Sequence, residues 1–371
     1  MRSIPIAKPI LGEEELRAVK RVLESGMIAH GPEVEEFERE FAEYLGVNYA
    51  VSVANGTAAL DLVLKAYGIS SGDEVVTTPF TFIATANAVL YQGAKPLFAD
   101  IDPRTFNIDP NSVLEAITPK TKAMIVVHLY GQPADMRALK EIADDHKLVL
   151  IEDAAQAHGA EFMGVKAGAL GDASVFSFYA TKNMTTGEGG IVVTNDRRVA
   201  ERVKLLRDHG QAEKYLHVEL GYNLRMTSMQ AAIGRVQLKK LDRFNEARRE
   251  NARKLSEQLS KVPGIEVPYE DSRVKHVYHQ YVIRVNDEYP LTRDELKEYL
   301  KGKGVGTAVH YPLTVFQQPL YRKLGYPQDI CPNAVEAGRR VLSLPVHPAL
   351  TPEDLQYISS CVAQAAEGAQ R

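Results

Sequence analysis

The sequence predicts an α/β protein whose three-layer large domain is built on a mostly parallel sheet, followed by a smaller α+β C-terminal domain. Short apolar runs alternate with helical segments through the first half of the chain. These runs lack polar–apolar alternation, which is typical of parallel strands covered on both faces. The 371 residues also exceed the usual size of one hydrophobic core, so we expect two domains.

The expected helices and strands follow from the spacing of apolar residues and from Gly and Pro at the ends of segments. Two helices, residues 12–25 and 32–46, open the chain, and the second has the Pro-first, Gly-last pattern of helix ends. A helix over residues 228–259 is long enough to bridge two domains, so we expect a large domain at 1–245 and a small one at 246–371. The remaining expected strands are 49–53, 74–77, 95–100, 123–128, 148–152, 173–178 and 190–194, with helices at 58–67, 82–91 and 136–146.

Composition excludes several classes of protein. The net charge of −4 argues against a nucleic-acid partner. The two cysteines, Cys331 and Cys361, form neither a disulfide framework nor a metal-ligand spacing, and we expect no metal. Residues 1–15 lack the apolar core of a signal peptide, and apolar runs such as 123–129 are too short to cross a bilayer. We therefore expect a cytoplasmic protein with no membrane partner.

The most informative segment runs from residue 148 to 190. Asp153 ends a buried strand, which is where open α/β sheets bind ligands, and Lys182 follows in a loop of small residues before the glycine-rich segment 187–190. Pyridoxal phosphate (PLP) needs such a pair, because a carboxylate keeps its pyridine nitrogen protonated and an amine with a depressed pKa attacks its aldehyde. Taken singly, Asp153 is better explained as a helix cap and Lys182 as a solvated lysine; their combination favours the cofactor.

A second segment fits the phosphate of the same cofactor. Gly56 and Thr57 open a helix directly after a strand, and free backbone N–H groups at a helix start favour a phosphate. Thr57 is equally well explained as an N-cap. Phe82 is a candidate for stacking on the pyridine ring, although a lone aromatic is more often part of a core.

Taken together, these segments resemble the DegT/DnrJ/StrS family of sugar aminotransferases, nearly from end to end. That family has the aspartate-aminotransferase fold, type I among PLP enzymes, and the resemblance implies the same fold here. The matching pieces are Gly31-Pro32, ANGTAAL at 54–60, PFTF at 79–82, EDAAQ at 152–156, SFYATK at 177–182, GEGG at 187–190, GYNLRM at 221–226 and AVHYP at 308–312.

The resemblance implies a role for each matching position. Lys182 carries PLP as a Schiff base and moves the proton between substrate and cofactor. His310 and Tyr311 resemble the loop that approaches the sugar, where a proline-terminated turn with a packed tyrosine is the alternative. The implied cofactor contacts are Asp153 at the pyridine nitrogen, Gln156 at the phenolic oxygen, Phe82 on the ring, and Gly56, Thr57 and Ser177 at the phosphate, with Asn223 reaching over from the neighbouring subunit.

Two positions bear on the reaction. Family members that deoxygenate sugars have histidine where this chain has Lys182, so the resemblance implies transamination. Tyr179 stands where many relatives have histidine, which leaves the ring contact there open. No arginine pair for an amino-acid carboxylate is evident, and glutamate (or glutamine) as the amino donor is implied by the family alone.

We therefore expect a homodimer with shared active sites that transfers the amino group of glutamate to a ketone on a nucleotide-linked sugar, in amino-sugar or polysaccharide biosynthesis. Arg225 and Lys214 are candidates for contacting the substrate diphosphate. The enzymatic alternatives are the same chemistry on a cyclitol ketone, or a PLP synthase of the aminohydroxybenzoate type. An alternative of a different class is a non-catalytic PLP-binding regulator, which the combination of Lys182, Asp153 and Gln156 disfavours.

Overall fold

The helices and strands below come from a computed structural model, which describes residues 3–369. The helices are α1 Glu13–Ser25, α2 Pro32–Leu45, α3 Gly56–Ala66, α4 Ala84–Tyr91, α5 Pro110–Ala116, α6 Met136–His146, α7 Arg197–Arg207, α8 Ser228–Leu259, α9 Arg293–Gly302, α10 Pro319–Lys323, α11 Pro332–Arg340 and α12 Pro352–Ala369. The strands are β1 Tyr49–Val53, β2 Glu74–Thr77, β3 Lys95–Phe98, β4 Thr121–Val127, β5 Val149–Asp153, β6 Glu161–Phe162, β7 Val165–Lys166, β8 Ala173–Ser177, β9 Gly190–Thr194, β10 Gln211–Glu213, β11 Leu216–His217, β12 Ile265–Glu266, β13 Val274–Lys275, β14 Tyr281–Val285 and β15 Val341–Leu344.

A seven-stranded sheet in the order β1-β9-β8-β5-β4-β2-β3 forms the centre of the large domain. Strand β9 runs antiparallel to both of its neighbours, and the other adjacent pairs are parallel. The predicted mostly parallel sheet is therefore confirmed. Strands β1, β5 and β8 point the same way, so their carboxyl ends meet at one edge, where α/β sheets bind ligands.

Both faces of this sheet are covered by helices, which explains the continuous apolar runs in the sequence. Ile125 and Ile151 pack toward α3 and α7, whereas their chain neighbours Met124 and Leu150 pack toward α6 on the opposite face. Each buried aliphatic side chain of this kind contributes about 1.5–3 kcal/mol relative to exposure. The three-layer arrangement is confirmed.

The second core lies around a three-stranded sheet in the order β12-β14-β15. Helix α8 extends between the two cores, since Leu241 packs in the large domain and Leu255 in the small one. The N-terminal segment belongs with the second core: Ile4 is buried there, and its backbone bonds to Gly304 and Gly306 at 2.9 and 2.7 Å. The division into 1–245 and 246–371 stays a prediction. The segment around Ile4 departs from it, because it packs with the small-domain core although it precedes residue 245.

One helix boundary matters for the site. Helix α3 begins at Gly56, as the phosphate-site reading expects and two residues before the helix predicted at 58–67. The Asn55 side chain caps it by accepting a hydrogen bond from the Ala58 N–H at 2.9 Å. Helix α4 begins two residues later than expected and leaves Phe82 in the preceding loop. Within residues 3–369, no helix combines the length and the hydropathy that crossing a bilayer requires.

Candidate active site

A cavity of about 870 Å³ lies at the carboxyl edge of the large sheet. Residues of the C-terminal third, among them His279 and Gln280, complete its wall. The structure brings together here nine of the residues singled out from the sequence: Gly56, Thr57, Phe82, Asp153, Gln156, Ser177, Lys182, His310 and Tyr311.

The acid and the amine expected from the sequence face this same cavity. Burial lowers the pKa of the Lys182 amine to about 8, although the Asp153 carboxylate acts in the opposite direction. Burial raises the pKa of Asp153, while hydrogen bonds from the Thr85 hydroxyl at 2.8 Å and the Ala155 N–H at 3.2 Å favour its ionised form. A larger fraction of Lys182 than of an ordinary lysine is therefore a neutral nucleophile near neutral pH.

Only one of the two acids that end β5 belongs to the site. Neighbouring side chains of a strand point to opposite faces, and Glu152 lies under the sheet edge, fully buried. Burial acts to raise its pKa, but hydrogen bonds from His128 and from backbone N–H groups lower it. The donors are His128 Nε2 at 2.8 Å, the N–H groups of Gly168, Leu170 and Gly171 at 2.7–2.8 Å, and the Ser174 hydroxyl at 2.8 Å.

The first turn of α3 forms a cradle for an anion. Asn55 occupies the Ala58 N–H, and the N–H groups of Gly56 and Thr57 have no acceptor within their helix. The helix lies tight against Ser177 at the end of β8, because a Cβ on Gly56 would come within 2.8 Å of the Ser177 Cβ. This close approach places a hydroxyl and two N–H groups around one small volume, which suits a phosphate.

Phe82 forms part of the cavity wall and is 58% exposed although it is a large hydrophobe. Its ring centroid lies 6.4 Å from that of Tyr311. An aromatic face open to a cavity favours a flat apolar partner. Tyr179 also lines the cavity and is 48% exposed.

The Gln156 amide is oriented by its neighbours. Its Oε1 accepts the Tyr130 N–H at 2.8 Å, and its Nε2 donates to the Tyr311 hydroxyl at 3.2 Å. The ring of His310 is held by the Ser343 hydroxyl at 2.8 Å, and burial together with the Lys182 charge lowers the pKa of His310 to about 4. His310 is therefore neutral at neutral pH.

Three predicted residues lie outside this cavity in the chain described. Asn223 is exposed, and its backbone pairs with Asp208. Arg225 forms an ion pair with Asp208 beside a second cavity of about 330 Å³. Lys214 lies over the Tyr215 ring in the β10–β11 hairpin. Asn223 was expected to act on the neighbouring subunit, and Arg225 is partly neutralised within its own chain. The assignments of Asn223, Arg225 and Lys214 all stay predictions.

The structure adds residues that the sequence reading missed. Thr85 lies in the first turn of α4, three positions after Phe82, and a polar residue so close to a candidate site residue was a usable signal for it. Tyr130 was not recognisable from its spacing, since its contacts depend on a left-handed backbone with φ of 59°. His279 is a third, buried with an unpaired Nδ1 at the cavity wall.

The residues present fit PLP. A buried carboxylate matches a protonated pyridine nitrogen, an amine with a lowered pKa matches the aldehyde, and the start of α3 matches the phosphate. The one remaining donor of the Gln156 amide matches the phenolic oxygen. Among residues 3–369, no group of three or more His, Cys, Asp or Glu side chains is arranged to hold a metal ion.

Comparison with known proteins agrees with this geometry. The DegT/DnrJ/EryC1/StrS aminotransferase family matches residues 9–363. The dTDP-3-amino-3,4,6-trideoxy-alpha-D-glucose transaminase of Streptomyces venezuelae is 42% identical over 94% of this chain and 92% of its own length. A pleiotropic regulatory protein of Geobacillus stearothermophilus is 44% identical, with 95% of each chain covered.

The fold comparison gives the same result. The X-ray structure of S. venezuelae DesV in complex with a ketimine intermediate matches with a TM-score of 0.91 at 41% identity, over 96% of this chain and 95% of that one. Solved structures of the same fold include PLP forms and pyridoxamine phosphate (PMP) forms. The chain therefore belongs to the DegT/DnrJ/EryC1/StrS aminotransferase family and is an aminotransferase with the type I fold of PLP-dependent enzymes.

Proposed function

We propose that this aminotransferase moves the amino group of glutamate (or glutamine) to a ketone of a nucleotide-linked sugar, for amino-sugar or polysaccharide biosynthesis. The observation that carries the proposal is the meeting of the Lys182 amine and the Asp153 carboxylate in one cavity. Relatives named as transaminases of dTDP- and UDP-linked sugars support the substrate class. The cavity of about 870 Å³ has room for both cofactor and sugar.

The proposed chemistry follows from the protonation states of the site. PLP, when bound, withdraws electrons from the substrate carbon that gains or loses the amino group. Asp153 would keep the pyridine nitrogen protonated, helped by the Thr85 hydroxyl at 2.8 Å. Lys182, with a pKa of about 8, can both accept and return a proton close to neutral pH, as a general acid–base group must.

The substrate end of the cavity is proposed to lie at His310 and Tyr311. His310 is neutral at neutral pH because burial lowers its pKa, so it can exchange hydrogen bonds with sugar hydroxyls without attracting the diphosphate. Positive groups for the diphosphate would come from Arg225 or Lys214 of a second subunit. We accordingly propose a cytoplasmic homodimer, with Asn223 completing the neighbouring phosphate site.

The test follows the two half-reactions separately. The protein is loaded with PLP, glutamate is added, and the absorbance change to PMP is recorded with release of 2-oxoglutarate. After desalting, ketones are added one at a time, and return of the PLP absorbance identifies the acceptor. A nucleotide-linked keto-sugar should restore it. A response to a cyclitol ketone alone would refute the sugar assignment in favour of that alternative.

Matched lysine variants test the assignment of the amine. Lys182→Ala should fold with an unchanged far-ultraviolet circular dichroism spectrum and give no turnover, because it loses a nucleophile rather than a core contact. Lys20→Ala is the control, since that lysine is exposed on α1. Retained turnover in Lys182→Ala would show that another amine does the chemistry.

A regulatory role is the second candidate, favoured by one observation. The relative from Geobacillus stearothermophilus that is named a pleiotropic regulatory protein is 44% identical to this chain. A purely regulatory protein would bind PLP without responding to any amino donor. An absorbance that stays unchanged with glutamate, glutamine and other amino acids would therefore favour regulation over transfer.

A further inference from the structure

Tyr130 directs all three of its polar groups at residues of the active-site cavity. Its N–H donates to Gln156 Oε1 at 2.8 Å, and its carbonyl accepts the Gln280 N–H at 3.3 Å. Its hydroxyl donates to the backbone carbonyl of His310, 180 residues further along the chain. Tyr130 itself is 4% exposed and is not part of the cavity wall. It therefore acts on the site only through these three neighbours.

The first contact decides what Gln156 presents to the cavity. An amide has one acceptor oxygen and two N–H donors. The oxygen is occupied by the Tyr130 N–H, and one donor is directed at the Tyr311 hydroxyl at 3.2 Å. One N–H remains for a ligand. The amide cannot flip without placing its NH2 group against the Tyr130 N–H, so the remaining N–H of Gln156 stays available to the cavity as a hydrogen-bond donor.

The third contact connects the large domain to the loop at residues 308–312. The Tyr130 hydroxyl holds the backbone of His310, while Gln156 holds the side chain of its neighbour Tyr311. The Tyr130 ring packs against Phe106, with centroids 5.7 Å apart, in a core shared by both halves of the chain. Its left-handed backbone is uncommon for an aromatic residue and is retained where surrounding contacts over-determine it.

We propose that Tyr130 is a positioning residue that aligns the Gln156 donor with the sugar-facing loop 308–312. It thereby fixes the distance and orientation between the cofactor end and the sugar end of the site. The assignment of the loop to the sugar rests on the proposed function. The bonding of Tyr130 does not, and it is tested by a separate readout. Loss of the hydroxyl should loosen the loop and leave the Gln156 amide in place, because the backbone N–H is unchanged.

The test compares Tyr130→Phe with a matched control, Tyr326→Phe. Tyr326 also donates its hydroxyl to a backbone carbonyl, that of Pro96 at 3.1 Å, and it lies outside the cavity. In Tyr130→Phe, amide hydrogen exchange of residues 308–311 should rise roughly tenfold, the order expected for one lost buried hydrogen bond. The control should leave exchange in this loop unchanged.

Kinetics of the PLP-loaded enzyme supply the second readout. Tyr130→Phe should keep its PLP affinity and its half-reaction with glutamate, whereas KM for the keto-sugar should rise roughly tenfold. Equal losses in both half-reactions, with weaker PLP binding, would overturn the proposal in favour of a general structural role. Unchanged exchange at 308–311 would overturn it outright. If exchange at this loop is faster in Tyr130→Phe but the unaltered enzyme acts on no keto-sugar, the positioning role is upheld and the proposed substrate is refuted.

Discussion

Replacing Thr85 with valine tests how the Asp153 carboxylate is kept ionised. The Thr85 hydroxyl donates to Asp153 Oδ2 at 2.8 Å, and both side chains are buried. A hydrogen bond to a charged acceptor is worth about 1.5–3 kcal/mol, whereas one to a neutral acceptor is worth about 1 kcal/mol. Valine keeps the branched shape and removes the donor. Thr85→Val should therefore cost about 1.5–3 kcal/mol of unfolding free energy when Asp153 is ionised.

The pH dependence gives the sharper result. Burial already raises the folded-state pKa of Asp153, so its contribution to stability is fully present at acid pH and is lost as pH rises through that pKa. Removing Thr85's donor raises the pKa further. The cost of Thr85→Val should accordingly be largest near about pH 7 and shrink toward about pH 4, where the carboxyl is increasingly protonated.

Urea unfolding of the cofactor-free protein at both pH values measures this difference. The control is Thr81→Val, because the Thr81 hydroxyl lies 3.2 Å from the Thr85 hydroxyl, whereas the side-chain donor to Asp153 is Thr85. That variant should lose similar stability at both pH values. An equal cost of Thr85→Val at the two pH values, or the same pH dependence in Thr81→Val, would refute the reasoning.

Three further outcomes follow from the site. The rate of PLP attachment, followed by absorbance, should rise with pH and level off above about 8, because burial lowers the pKa of Lys182 to about 8; a rise continuing to the range of free lysine would contradict this. Glu152→Gln should lower the unfolding free energy by about 3 kcal/mol, because its NH2 group would face donors that now converge on a carboxylate; circular dichroism during denaturation measures it. Gly56→Ala should weaken PLP binding roughly tenfold in a fluorescence titration, since its Cβ would lie 2.8 Å from the Ser177 Cβ, while Gly12→Ala, with nothing within 4 Å, should not; equal affinities would argue against the phosphate site.

Much of the fold was predictable because local pattern and tertiary environment agree. The segments 49–53, 136–146 and 228–259 have the predicted bounds, since apolar runs and helical spacing there match the burial they receive. The direction of β9 was not predictable in the same way. Its five buried residues are as apolar as those of the parallel strands. The direction of a strand is set by the segment that connects it to the preceding strand, not by its composition.

The residues of the site likewise fall into those that local sequence pattern predicts and those that it does not. Residues placed by strand ends or helix starts, such as Asp153 and Gly56, could be found from their position in the sequence pattern. Tyr130 and His279 could not, because their roles depend on contacts with residues far away in the chain. Tyr130 reaches His310 across 180 residues, and no periodicity encodes a contact of that kind.

The seating of the N-terminal segment on the small domain has a consequence for dissecting the protein. The Ile4 N–H donates to the Gly304 carbonyl and the Ile4 carbonyl accepts the Gly306 N–H, so Ile4 completes a core whose other buried members come after residue 251. A cut near residue 245 would leave this segment on the large-domain fragment and open an apolar gap in the core of the small-domain fragment. Chimeras that graft the small domain onto another scaffold therefore need the leading residues supplied with it, either in trans or by circular permutation.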